Sequence, residues 1–294
     1  MQDAPFDPPL CQGPDPHPRP PRVRPPAGAC DTHAHVFGPV WRYPYTPNRS
    51  FTPPDCPLED YLAMLDVLGV ERGIIVQPSA YGTDNTATLD AIARSGGRCR
   101  GIALAEPDVP DAELRRLHEG GMRGLRMTTV VKGGVSPEHL LPLADRIADL
   151  GWHLLLHIDT IDELVDLAPQ IRAARCPVLV DHLGRIKGDQ PLSAPGFQTL
   201  LELLLDTDHC WTKVASVYRN SRSGPPYDDM RDKARAVVAA RPDRVVWGSN
   251  WPHPHHHGAM PNDGDLLDTV MAWLPDPAVR RQVFADNPAK LYGF

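Results

Sequence analysis

What most constrains this chain is a repeat of hydrophobic texture. From residue 28 onward, short continuous apolar runs alternate with longer segments of helical spacing. The runs predict strands at 29–36, 72–77, 100–105, 122–127, 153–158, 178–182, 211–215 and 244–249. IIVQ, LLLHI and VLVDH show no polar alternation, which is the pattern of parallel strands buried on both faces. Amphipathic segments follow at 57–68, 86–95, 111–119, 137–150, 162–174, 196–206, 228–240 and 265–274. The first carries Leu58, Tyr61, Leu62 and Leu65 on one stripe. Ser136-Pro137-Glu138 reads as a capped helix start, and Gly69, Gly120 and Gly151 close helices just before strands. Eight strand-then-helix units in about 266 residues average roughly 33 each, the size of a βα repeat. A closed (β/α)8 TIM barrel is the economical architecture of this α/β chain, with an open doubly wound sheet as the alternative. A strand–G-x-G-x-x-G–helix is missing, so a dinucleotide site is not expected.

Ten of the 34 prolines fall in the first 26 residues. Such a stretch stays extended and cannot build a core. The chain therefore divides into a proline-rich arm, 1–26, and a barrel, 27–294. A formal charge of −7 and a pI near 6.0 argue against nucleic acid as a partner. The sequence has no apolar run of the roughly 18–20 residues that a membrane span needs, and no secretory leader pattern. The six cysteines are scattered without a C-x-x-C pair, which suits reduced thiols in the cytoplasm. The composition leaves the oligomeric state open.

In a barrel, reactive groups belong at the carboxyl ends of the strands. Reading those ends gives His33 and His35 on strand 1, Gln77 with Ser79 on strand 2, and Arg126 on strand 4 with Lys132 in the loop beyond. His157 stands on strand 5, His182 and Arg185 at strand 6, Tyr218 and Arg219 after strand 7, and Asn250 and His253 after strand 8. His33 and His35 are two apart, so in a strand both imidazoles share one face. Guanidinium groups suit bidentate capture of carboxylates, so three arginines aimed at one mouth point to a dianionic or polyhydroxy-acid substrate. His255, His256 and His257 sit in a proline-rich loop and read as solvated surface. Arg100 and Arg123 lie near strand starts and read as structural.

CDTHAHVFGP, IIVQPSAYGTDN, EGGMRGLRM, VDHLGR, VYRNSRSGPPYDD and RVVWGSNWPHP together resemble the 2-pyrone-4,6-dicarboxylate lactonase group of the amidohydrolase superfamily. The likeness runs from about residue 28 to the C-terminal DNPAKLYGF. It implies a (β/α)8 barrel that hydrolyses a carboxylated lactone, with His33, His35 and His182 polarising the carbonyl. It also implies a strand 8 aspartate that activates water, arginines that hold carboxylates, and chemistry that needs no divalent metal. Three positions depart from that pattern: Asn250 replaces the aspartate, His157 replaces a tyrosine, and Lys132 replaces an arginine. Asn250 and the VYRNSRSGPPYDD loop resemble the galactarolactone isomerase branch, which lacks the strand 1 H-x-H.

An amide has no useful basicity near neutral pH, so Asn250 cannot take a proton from water. One expectation is a lactonase in which His33, His35 and Asn250 polarise the carbonyl and His182 or His157 is the base, with a rate that falls through about pH 6 to 7. A lactone isomerase is the second, a substrate hydroxyl attacking in place of water. A zinc-dependent amidohydrolase or an inactive binding barrel is the third. Should zinc be bound, His33, His35 and His157 are its expected ligands; otherwise no cofactor is expected. The expected partner is a small carboxylated lactone in aromatic or sugar-acid catabolism.

Overall fold

The computed structural model describes residues 8–132 and 134–294. Among them are the eight strands that the apolar runs anticipate: β1 (Cys30–Ala34), β2 (Arg72–Val76), β3 (Cys99–Ala103), β4 (Met122–Thr128), β5 (His153–His157), β6 (Val178–Val180), β7 (Cys210–Val214) and β8 (Val245–Trp247). Each strand pairs in parallel with the next, in the order β1 to β8. The ring closes just beyond β8, where Trp251 forms a parallel bridge with Ala34. This is a (β/α)8 barrel, and the open sheet is excluded.

The helices are α1 (Leu58–Leu68), α2 (Thr86–Arg94), α3 (Asp111–Glu119), α4 (Leu140–Ala148), α5 (Glu163–Ala173), α6 (Pro195–Asp206), the single turn α7 (Val217–Asn220), α8 (Arg231–Ala240) and α9 (Asp263–Trp273). α10 (Pro277–Arg281), a π-helical turn and α11 (Asn287–Tyr292) complete the chain; they are too short for periodicity to reveal. The segment at 137–150 begins with a 3-10 turn whose Ser136 hydroxyl accepts from the Glu138 N–H, as the capping motif requires.

Strand residues alternate between two buried layers, which is why the runs read as continuous. Ile74, Val76, Ile102, Leu155, Leu179, Trp211 and Val246 fill the barrel with Cys30. Their neighbours Ile75, Leu154, Leu156, Val178 and Val180 pack outward beneath the helices. Leu291 and Tyr292 of α11 join the inner layer, and Phe294 packs against Arg72 and Arg100 near the strand starts. The amino end of the barrel is thereby plugged, and the carboxyl end is left for chemistry. All six cysteines are buried and free, as expected.

β1 and β8 approach closely at Gly248, where a Cβ would meet the His33 Cβ at 2.8 Å. Asp31, fully buried, ties the two strands together. Its carboxylate accepts from the Ser249 N–H (2.8 Å), the Ser249 hydroxyl (2.6 Å) and the Tyr61 hydroxyl (3.1 Å). None of the helices among the described residues is long and apolar enough to cross a membrane.

Residues 8–26 run along their own barrel. Cys11 N–H donates to the Thr52 carbonyl, and the stretch from Asp15 to Arg22 meets the start of α9. Asn262 caps that helix, its Oδ1 accepting from Gly264 N–H (3.1 Å) and from Arg19 N–H (3.0 Å). Its Nδ2 donates to the Asp15 carboxylate (2.8 Å) and the His17 carbonyl (2.9 Å). One side chain thus serves helix and arm together. Asn262→Ala should lower the unfolding free energy by about 1–3 kcal/mol and open the arm to limited proteolysis. Unchanged denaturation and cleavage would show that the arm is held elsewhere.

Candidate active site

The carboxyl ends of the strands surround a cavity of about 470 Å³. Its wall includes His35, Ser79, Arg126, His157, His182, Arg185, Tyr218, Arg219 and Asn250, nine of the thirteen residues expected from strand ends. His33 lies immediately beneath, its Nε2 3.3 Å from the His35 Nε2. Three consecutive strand ends leave through left-handed residues, His182 (φ 52°), Ser216 (φ 53°) and Asn250 (φ 70°). That conformation is uncommon outside glycine and asparagine and tends to be spent at functional sites.

Besides His33, three expected residues are not on the cavity wall. Gln77 is a loop brace: its Nε2 donates to the Gly82 and Asp84 carbonyls and its Oε1 accepts from the Thr88 hydroxyl. Lys132 is exposed, outside the cavity wall, with its N–H on the Ser50 hydroxyl. His253 is fully buried behind the wall rather than on it. His255, His256 and His257, expected to be plain surface, form part of the rim. Asp181 and Lys213, both fully buried, also belong to the site and are not among the residues expected from strand ends. Lys213 could have been found as a charge inside a strand; Asp181 was hidden beside the more conspicuous His182.

The cations fix the protons of the imidazoles. The His33 Nδ1 lies between Lys213 (3.1 Å), which can only donate, and the Asp181 carboxylate (3.2 Å), which can only accept. The Asp181 oxygens make no hydrogen bond among the described residues, so Nδ1 is assigned as acceptor from Lys213 and the His33 proton to Nε2. That Nε2–H donates to the His35 Nε2, and the His35 Nδ1–H in turn donates to the Val76 carbonyl at 2.7 Å. Arg126 donates to the His157 Nδ1 at 2.9 Å, which places the His157 proton on Nε2 as well. The His182 Nδ1 is shielded from solvent and has no hydrogen-bond partner. Burial drives every one of these imidazoles toward neutrality: His33 to about 3, and His35, His157 and His182 well below the usual range.

Beneath them Asp181 meets three groups: His33 Nδ1 (3.2 Å), His182 Nε2 (3.3 Å) and Lys213 Nζ (3.3 Å). Burial opposes its charge, but the positive charges that His182, His33 and Lys213 can carry outweigh that and hold it well below the carboxylate range. While both imidazoles are neutral, Lys213 is the cation paired with it. His33, Asp181 and His182 bring donor atoms close enough to share one metal ion. The set differs from the expected His33, His35 and His157, because His157 is committed to Arg126 and Thr128. The donors suit zinc in type and spacing, and the Lys213 ammonium puts a positive charge against two of them.

A second polar chain stands at the β7–β8 side. Tyr218 accepts from the Asn250 Nδ2 (2.9 Å) and meets the His253 Nδ1 (2.9 Å); the His253 Nε2 faces the Asp263 carboxylate at 3.2 Å. Burial works against charge on His253, yet Tyr218 and Asp263 outweigh it and raise its pKa to about 9. Burial would also raise the Tyr218 phenol, but Arg219, His253 and the Asn250 hydrogen bond bring it below its ordinary value.

Residues 30–294 match the amidohydrolase family model. The chain is 39% identical over 291 residues to 4-sulfomuconolactone hydrolase of Hydrogenophaga intermedia, covering 97% of this chain and 95% of that one. It is 37% identical over 286 residues to 2-pyrone-4,6-dicarboxylate hydrolase of Comamonas testosteroni, covering 94% and 93%. It is 31% identical over 271 residues to D-galactarolactone isomerase of Agrobacterium fabrum, covering 91% of each.

The buried neutral imidazoles set an acid limit on stability. Once unfolded, His33, His35, His153, His157 and His182 take up protons below about pH 6.5; folded, they do not. Stability is therefore lost as pH falls through 6.5, at up to about 1.4 kcal/mol per pH unit for each histidine. Asp31, raised by burial to about 6, offsets part of this between pH 6 and its unfolded value. Urea midpoints at pH 7.5, 6 and 5 should fall steadily, whereas a level series would mean that these histidines protonate in place.

Proposed function

We infer that this chain, which belongs to the amidohydrolase family, is a lactone hydrolase acting on a small ring ester that carries anionic groups. The observation that carries this reading is Arg126. It is buried in the cavity wall, and among the described residues its guanidinium hydrogen-bonds the Gln77 carbonyl and the His157 imidazole but no carboxylate, with Nε left unpartnered. A buried cation with no acidic side chain bonded to it is costly unless a ligand supplies the negative charge. Among the described residues Arg219 donates to the backbone carbonyls of Pro254 and His255 and bears on the Tyr218 phenol but meets no carboxylate, and Arg185 pairs with the exposed Asp159 at 3.4 Å. The names of the hydrolase relatives, a sulfonated and a dicarboxylated lactone between them, fit a site with this charge.

In this reading the lactone carbonyl lies against donors. The His157 Nε2–H and the second N–H of Asn250 serve as fixed dipoles for the oxygen that gains charge in the tetrahedral intermediate. The arginines hold the substrate's carboxylate or sulfonate, and Ser79 adds a hydroxyl at the wall. His33 and His35 act from below, through the Lys213–His33–His35 chain, rather than as direct donors to the carbonyl. A divalent cation, when bound, would be held by His33, Asp181 and His182 and would polarise the carbonyl. We keep the isomerase as a second reading on the strength of Asn250, which removes the carboxylate that would activate water.

The test is a substrate panel followed by NMR: 2-pyrone-4,6-dicarboxylate, 4-sulfomuconolactone, aldarolactones and their uncharged ester analogues. Charged lactones should open to the hydroxy or oxo acid, and uncharged ones should be poor substrates. Arg126→Met should raise KM for a charged lactone by about 10- to 100-fold, the loss of a charge-assisted hydrogen bond. A new lactone as product would favour the isomerase; indifference to substrate charge would remove the basis of this reading.

A further inference from the structure

Water cannot attack a lactone at neutral pH without a group to take its proton, and the imidazoles of the cavity are poorly placed to do so. The lone pairs of His33, His35 and His157 are already engaged by Lys213, His33 and Arg126, and the His182 Nδ1 is shielded from solvent. Asn250 has no basicity. Resting on the lactone-hydrolase reading, we propose that Tyr218 is the general base, its oxygen poised by a buried relay through His253 to Asp263 that stands in for the absent strand 8 carboxylate.

The geometry is that of a proton relay. The Tyr218 oxygen is held by two nitrogens, the Asn250 Nδ2 and the His253 Nδ1, each at 2.9 Å. Asn250 and His253 are brought to one oxygen by a tight turn in which the His253 N–H donates to the Asn250 carbonyl at 2.7 Å. Behind them Asp263, 1% exposed at the first turn of α9, pairs with the His253 Nε2 at 3.2 Å, and among the described residues neither that nitrogen nor the carboxylate has another partner. A buried carboxylate kept for one imidazole orients that imidazole and stabilises its charged form, the logic of the catalytic triad. Other charged or titratable groups against this chain are Arg219, whose guanidinium lies 5.3 Å from the Tyr218 ring and favours the phenolate, His256, edge-on to the ring at 5.0 Å, and the half-buried Tyr227, whose own ionisation the Tyr218 charge opposes. The directions of the pKa shifts agree, with the phenol lowered and His253 raised.

The step balances without a co-reactant. The proton of the phenol rests on the His253 Nδ1, leaving Tyr218 as phenolate. An O–H bond of water breaks and its proton passes to the phenolate as the oxygen bonds the lactone carbonyl carbon. Collapse breaks the ring C–O bond, and the leaving oxygen takes the proton from Tyr218. The phenolate is restored, and lactone plus water has become the open-chain acid.

The experiment is an ultraviolet titration of tyrosinate in the substrate-free protein, paired with lactone hydrolysis, for wild type, Tyr218→Phe, His253→Gln, Asp263→Asn and the double variant. The other six tyrosines are pushed upward by burial, so a tyrosinate ionising below about 10 is assignable to Tyr218. That band should vanish in Tyr218→Phe and move to higher pH in His253→Gln and Asp263→Asn. Hydrolysis should fall by about 10²- to 10⁴-fold in kcat for Tyr218→Phe. In Asp263→Asn it should fall less, recover as pH rises, and add no further loss to Tyr218→Phe. Tyr218→Phe with wild-type kcat, or the absence of a low-pH tyrosinate, overturns the relay. A wild type that shows the band but opens no lactone supports the relay and overturns the substrate reading instead.

Discussion

The closure of the barrel between its first and last strands is the constraint on which the site depends. β8 is only three residues long, and the seam is completed by the segment that follows it. The Asn250 N–H donates to the His33 carbonyl and the His35 N–H to the Trp251 carbonyl, both at 2.8 Å, while Asp31 clasps Ser249 below. Those backbone bonds set the distance between the strand 1 histidines and Asn250. They also place the turn that carries His253. A site built on this seam inherits the rigidity of a sheet rather than the looseness of a loop.

Charge is organised in two tiers. Below the cavity, Asp181 and Lys213 are buried as a pair with His33 between them, so neither charge is left alone in a medium where an unpaired ion is expensive. On the wall, Arg126, Arg219 and Arg185 are undercompensated by carboxylates, and the imidazoles near them are held neutral. The net field at the mouth is therefore positive although the whole protein carries −7. Local field and net charge answer different questions: the first concerns a ligand, the second solubility and nonspecific binding.

Much of this was legible in the sequence, for physical reasons. Strands buried on both faces leave continuous apolar runs, so all eight strands and the eight long helices beside them could be placed within a few residues. Strand-end position carried the site: His35, Arg126, His157, His182 and Asn250 all reach the cavity. Periodicity cannot say which way a buried polar side chain turns. Gln77 occupies a strand end yet braces a loop, and Lys132 lies too far along its loop to reach inward. Asp263 was invisible because nothing local marks it; only the packing of α9 against the turn at 250–253 joins it to His253.

The asparagine that disturbs the resemblance to pyrone lactonases becomes coherent beside Tyr218. A carboxylate at 250 would set a second negative oxygen about 3 Å from the phenol oxygen, and like charges at that separation raise a pKa. The amide does the reverse: its Nδ2–H donates to the phenol oxygen at 2.9 Å and favours the phenolate. Its left-handed backbone, φ 70°, is also one that asparagine tolerates better than most residues. A carboxylate base on β8 and a phenolate base on α7 are therefore alternatives, each disfavouring the other. Restoring aspartate at 250 alone would put two bases in competition for one proton, so the exchange between the two arrangements requires Asn250, Tyr218 and His253 to change together.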